Sequence, residues 1–221
     1  MKKRNVAGQM FLVGMLVLLS PPAQATAELA AARAATPDLV RGEELYRTCA
    51  ACHGEDGGGV PDGTIPAISG QPAAVLMRQL VGFRSEQRSD IRMEHFADRT
   101  HLASAQQIAD VAAWIATLQR ITPAGIGDGA SLVAGSRAFL RACQDCHGAL
   151  GRPSADGALP ALAGQHAGYL ERQLRDAAAG RRPNMNATHR APVRSLSEAE
   201  ILGVADYLSR MLPRGLGAEG Q

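Results

Sequence analysis

Along the chain, apolar residues recur at spacings of three and four and nowhere alternate strictly with polar ones, so the pattern predicts helices and no half-buried strands. Pro37-Asp38 precedes an amphipathic run to about Thr48, with the aspartate placed to cap the first turn. Between Pro72 and Phe83, the positions Val75, Leu76, Gln79, Leu80 and Phe83 mark a second helix. Leu102-Ala103-Ser104 opens a third, whose apolar stripe is Ile108, Val111, Ala112 and Ile115. The fold class read from this pattern is all-α.

The pattern occurs twice. Shifted by 94 positions, Cys49, Cys52 and His53 fall on Cys143, Cys146 and His147, PAISGQ at Pro66 falls on PALAGQ at Pro160, and RQL at Arg78 falls on RQL at Arg172. With one-residue adjustments, Gly42 and Tyr46 meet Gly135 and Phe139, and IADVAAWI (Ile108 to Ile115) meets ILGVADYL (Ile201 to Leu208). The chain is a tandem duplication. It divides into a first domain over 38–120, a Pro- and Gly-containing linker over 121–130 and a second domain over 131–212.

Residues 1–27 form a different kind of segment. Lys2, Lys3 and Arg4 lead into an apolar run from Met10 to Leu19, followed by Ala23-Gln24-Ala25 and Ala25-Thr26-Ala27, both small-residue cleavage patterns. The run is shorter than the roughly 20 residues a membrane-spanning helix needs. The expectation is a signal peptide cut after Ala25 or Ala27, a periplasmic mature chain and no membrane span, with peripheral membrane association left open. Both lysines lie in this leader, and from Glu28 onward 20 Arg face 21 Asp and Glu. So near a balance gives no ground for a nucleic-acid partner. The charge is unevenly placed, with 8 Arg against 11 acids over 38–120 and 11 Arg against 8 acids over 131–221. That asymmetry points to different partners at the two ends, with Arg181 and Arg182 on the basic side.

Each copy is only some 80 to 90 residues long and aromatic residues are 4% of the chain, too little to build a sufficient core unaided. All four cysteines lie in the two C-x-x-C-H motifs. A redox dithiol leaves the adjacent histidine unexplained and lacks its βαβ setting; a structural zinc lacks two further ligands per site. Covalent haem accounts for all three residues. Cysteines at i and i+3 share a helix face, where their sulfurs reach the two vinyl groups on one haem edge, the next histidine meets the iron, and the macrocycle supplies apolar core. The expected cofactors are two haem c groups, each wrapped by one helical domain.

For the sixth iron position, Met77 and Met211 fall on apolar faces and read as packing. Met93 and Met185 are the remaining equivalent pair, each after an arginine-rich loop, and thioether ligation suits electron transfer. His95 and His101 are rivals at the first iron; His166 and His189 read as surface residues.

CxxCH, then P-A-x-x-G-Q, then a methionine in an Arg-rich loop, then a helix ending in an aromatic, twice in tandem, resembles the dihaem cytochrome c4 family over nearly all of 38–212. The resemblance implies two tandem cytochrome c-like domains, Cys49, Cys52, Cys143 and Cys146 as thioether attachments, His53 and His147 as proximal ligands and Met93 and Met185 as distal ones. It implies that the carbonyls of Pro66 and Pro160 hold the proximal histidines, and that Gly42 and Gly135 let the first helix cross the last near Trp114 or Tyr207. It implies an electron carrier rather than an enzyme, a shuttle between a quinol-oxidising complex and a terminal oxidase or reductase. The alternative is a dihaem enzyme or the cytochrome subunit of a periplasmic dehydrogenase.

Overall fold

The computed structural model describes residues 21–119, 123–185 and 187–212. Most of the expected leader, residues 1–20, and positions 121 and 122 of the linker lie outside that set. Among the described residues every regular element is a helix. The first half holds α1 (Pro21–Ala34), α2 (Leu39–His53), α3 (Ala73–Arg84), α4 (Ile91–Phe96) and α5 (Ala105–Thr117). The second holds α6 (Leu132–Ala142), α7 (Gln144–His147), α8 (Ala167–Ala178), α9 (Ala187–Arg194) and α10 (Glu198–Ser209).

The helix starts follow local chemistry. Asp38 accepts from Val40 N–H and Arg41 N–H and caps α2, Ser104 caps α5 through Gln107 N–H, and Ser197 with Glu200 forms a capping box on α10. In each half two long helices cross at a glycine, α2 with α5 at Gly42 and α6 with α10 at Gly135. A Cβ on Gly42 would lie 2.3 Å from the Asp110 carbonyl oxygen, and one on Gly135 would lie 1.8 Å from the Gly203 carbonyl carbon. Only a hydrogen side chain permits backbones that close.

The core of the first half is built from Tyr46, Leu76, Val81, Ile108, Val111 and Ile115, and that of the second from Phe139, Leu170, Leu196, Ile201, Val204 and Leu208. Helix α1 is an addition that the sequence pattern did not reveal. It packs on α3 and α5, with Ala32 fully buried and Glu28 paired to Arg84 and, at 3.1 Å, to Arg99. A cut after Ala25 or Ala27 leaves these contacts in place. The described part of the linker is pinned rather than loose. Gly127 and Gly129 donate to the Asp206 carboxylate at 3.0 and 2.8 Å.

Candidate functional site

The last turn of α2 carries Cys49, Cys52 and His53. His53 is buried, and its Nδ1–H donates to the Pro66 carbonyl at 2.9 Å, which fixes the ring and leaves the lone pair on Nε2. Burial holds its pKa below the usual histidine value, so the imidazole is the neutral, ligating form. The loop that delivers Pro66 depends on Gly59. At φ +72 its N–H donates to the His53 carbonyl at 2.8 Å, while a Cβ there would lie 2.4 Å from Ile65 O and 2.5 Å from Pro66 O.

A cavity of about 510 Å³ opens beside this motif, lined by Cys49, Cys52, His53 and Met93 among many apolar side chains. Burial pushes the Cys49 thiol up to about 11, away from the thiolate character that a reactive dithiol needs. Met93 is half-buried in α4, which Asp90 caps by accepting from the Arg92 and Met93 N–H groups. His95, two residues on, is exposed and packs edge-on against Phe96 and His101, while His101 Nδ1 lies 3.1 Å from Asp98 Oδ1. Thus Met93 lines the cavity, and His95 and His101 form a separate cluster.

The second motif differs. Where CAACH continues α2 unbroken, CQDCH is split at Cys143 into α6 and α7, since Asp is a poorer helix former than Ala. His147 is buried, and burial followed by the charge of His189 lowers its pKa to about 4, so it too is neutral. Its Nδ1 has no hydrogen-bond partner among the described residues. The contact that family resemblance implies with Pro160 is therefore not made, and the sequence holds the reason. Pro153 stands where Gly59 stands in the first half. Its ring fixes φ near −65° and it has no N–H, so the loop that needs φ +72 and a donated hydrogen bond cannot form. Met185 lies half-buried in the turn before α9. His189, expected on the surface, is half-buried with its ring centroid 5.7 Å from that of His147.

The residues that join the halves were not singled out from sequence. Gln165 Oε1 accepts from Ala67 N–H at 3.0 Å, and Gln165 Nε2 donates to Ala67 O at 2.7 Å. Gln71 does the same with Ala161, at 3.0 and 2.8 Å. Gln71 and Gln165 are equivalent positions of the repeat, so the contact is pseudo-two-fold and each half uses one patch on the other. The signal was present as a polar glutamine recurring in PAISGQ and PALAGQ. His166, expected on the surface, is instead fully buried between the halves. Gly125 N–H donates to its Nδ1 at 3.0 Å and its Nε2–H donates to Gly58 O at 2.7 Å. Its neighbour Gln165 already faces the other half, and that placement carries His166 inward.

A pair of thiols one helical turn apart, a neutral buried imidazole next to them and an apolar cavity at the first site fit a covalently attached haem. At the second site, the same thiol spacing beside a buried, neutral His147 fits the same group. Comparison with known proteins agrees. The sequence model of the cytochrome c family matches residues 39–119 and again 132–211. Cytochrome c4 of Pseudomonas aeruginosa is 32% identical over 185 residues, covering 79% of this chain and 89% of that protein. A thiosulfate dehydrogenase electron acceptor of Thiomonas intermedia is 32% identical over 176 residues, covering 73% of this chain and 77% of its own length. The crystal structure of reduced cytochrome c4 from Pseudomonas stutzeri superposes with a TM-score of 0.70 at 24% identity, over 80% of this chain and all of that one.

Proposed function

The chain belongs to the dihaem cytochrome c4 family of electron-transfer proteins, and from that premise we propose that it is a periplasmic shuttle in a respiratory chain. It would take electrons from a quinol-oxidising complex and pass them to a terminal oxidase or reductase. The observation that carries this reading is the shared cavity: Pro160, Ala161 and Leu162 of the second half line the same space as Cys49, Cys52, His53 and Met93 of the first. With residues of the second half in the wall of the first site, an electron would enter one half and leave from the other. Haem, when bound, supplies reversible one-electron chemistry at its iron.

The chain's own side chains hold it. Cys49 and Cys52 would attach the first group and Cys143 and Cys146 the second. His53 and His147 would supply neutral imidazole, with the Pro66 carbonyl orienting the first of these rings, and Met93 and Met185 would supply the thioethers. With a histidine and a methionine of the chain both committed to holding the group, no side chain at either site would be left to position a substrate, as suits a carrier. Residues 1–27 serve as the export leader and 38–120 and 131–212 as the two haem domains. At the second site, His189 is the rival to Met185, because its ring lies beside His147. A redox titration of the purified protein, followed by its optical spectrum, tests the carrier reading. It should give two one-electron steps and low-spin spectra in both states. A resting high-spin or cyanide-binding iron would contradict it.

A second reading has one supporting observation, the similarity to an electron acceptor of thiosulfate dehydrogenase. On that reading the electron source is a periplasmic dehydrogenase. Mixing the oxidised protein with such an enzyme and its substrate decides between the two, through the presence or absence of fast reduction.

A further inference from the structure

At the junction of the halves, three donors crowd one amide oxygen, and the buried Asn184 Oδ1 has no partner among the described residues. Arg88 is buried, with its guanidinium 4.4 Å over the Phe83 ring. Its donors go only to neutral groups: Gln79 Oε1 at 2.8 Å, Gln173 Oε1 at 3.0 Å and the Tyr169 hydroxyl. Arg182, from the second half, reaches the same Gln79 Oε1 at 3.4 Å, and Asn184 Nδ2 reaches it at 3.2 Å. One amide oxygen with two lone pairs therefore faces three donors. Arg182 Nε is fully enclosed and has no partner among the described residues. Neither guanidinium is within ion-pair distance of a carboxylate among those residues, and Asp176 nearby is paired with Arg181 at 2.8 Å. A buried guanidinium beside a half-buried one, with no anion within ion-pair distance, is unfavourable. This end of the molecule is chemically incomplete without an acceptor that carries negative charge.

Both arginines line the cavity that holds Cys49, Cys52, His53 and Met93. We propose that Arg88 and Arg182 form a carboxylate site that takes the propionate groups of the haem attached at Cys49 and Cys52. The inference rests on the haem reading above. Haem carries two carboxylates on the edge opposite its vinyl groups, so thioethers at one end of the cavity place the carboxylates toward the other. Charge-assisted, fork-shaped donation is the contact that guanidinium makes best with carboxylate. Arg182 belongs to the second domain, so that domain sets part of the electrostatic field at the first domain's haem. It is thus not a residue of an exposed partner patch, as the charge asymmetry alone would place it.

The test uses the full haem-loaded chain, with haem content checked by mass so that loss of the haem reading is seen before any potential is measured. Midpoint potentials are followed haem by haem through the hyperfine-shifted methyl resonances. Removing a positive charge near an iron favours its oxidised state. Arg182→Gln and Arg88→Gln should each lower the first haem's potential while the second moves less, and Arg182→Lys, which keeps the charge, should stay near wild type. Equal shifts at both haems, no shift, or an Arg182→Lys variant that behaves like Arg182→Gln would overturn the assignment. If Arg182→Gln fails to hold both haems, Arg88→Gln decides on the same criteria. Inorganic phosphate is the probe for a free anion as occupant. With the site closed by propionate, the wild-type potentials should not respond to phosphate at constant ionic strength, and a saturable response lost in Arg182→Gln would overturn the proposal.

Discussion

Gln165 and Ala67, 98 positions apart in sequence, exchange two hydrogen bonds in a buried setting, at 3.0 and 2.7 Å. Their counterparts Gln71 and Ala161 do the same, so the halves are locked by a pair of amide clasps around a local two-fold axis. Gln165→Ala leaves both backbone polar groups of Ala67 unpaired, at a cost of about 1–3 kcal/mol each. In a thermal scan of the haem-loaded protein, wild type should unfold in one transition and Gln71→Ala/Gln165→Ala in two. A single unshifted transition in the double variant would show that the clasps do not couple the domains.

The helix pattern was legible because its signals are local. Asp38 and Ser104 cap the helices expected from sequence, and Ile108, Val111, Ala112 and Ile115 are buried as their stripe requires. The repeat made both C-x-x-C-H sites visible, and Met77 is buried in the first core as expected. What sequence could not show was how the halves dock. His166 looked like a surface residue because its two partners, Gly125 and Gly58, lie far away in the chain. Helix α1 escaped notice because alanine-rich turns carry little periodicity, and Glu28 gains meaning only beside Arg84 and Arg99. The asymmetry between His53 and His147 hangs on one substitution, proline for glycine at equivalent positions. Its effect depends on a positive φ that sequence does not display.

That asymmetry is testable. Pro153→Gly restores the conformational freedom and the N–H that the first loop uses, so the Pro160 carbonyl gains access to His147 Nδ1–H. A hydrogen bond at that nitrogen makes the ring a stronger donor to iron. The second haem's potential should fall toward the oxidised-favouring side in Pro153→Gly while the first stays in place. An unchanged second potential would separate the loop from the electronics of the site.

The axial positions have a spectroscopic signature. Wild type should show thioether-to-iron absorption from both irons, Met93→Ala should remove one share and Met185→Ala the other, and His189→Ala should leave both. If Met185→Ala is silent and His189→Ala alters the spectrum, the ring beside His147 is the sixth ligand of the second iron.

Acid should loosen the second domain before its packing fails. Glu200 accepts from the Ser197 N–H at 2.8 Å and from Arg141 at 2.7 Å, and these contacts, with the backbone bond foremost, hold its pKa at about 2 against 4.5 unperturbed. A carboxylate lowered in this way stabilises the fold above about pH 4.5, and that contribution is lost as pH falls toward 2. Glu200→Gln should flatten this part of the acid-unfolding curve followed by circular dichroism. A curve with the wild-type slope would remove the Ser197–Glu200–Arg141 clamp from the account.

The most direct measurement is the intact mass of the mature chain from a host competent for haem attachment. The account requires the polypeptide plus two haems, dropping to one when Cys49 and Cys52 are both replaced by alanine. A mass equal to the bare polypeptide, or to a single haem in wild type, would contradict it.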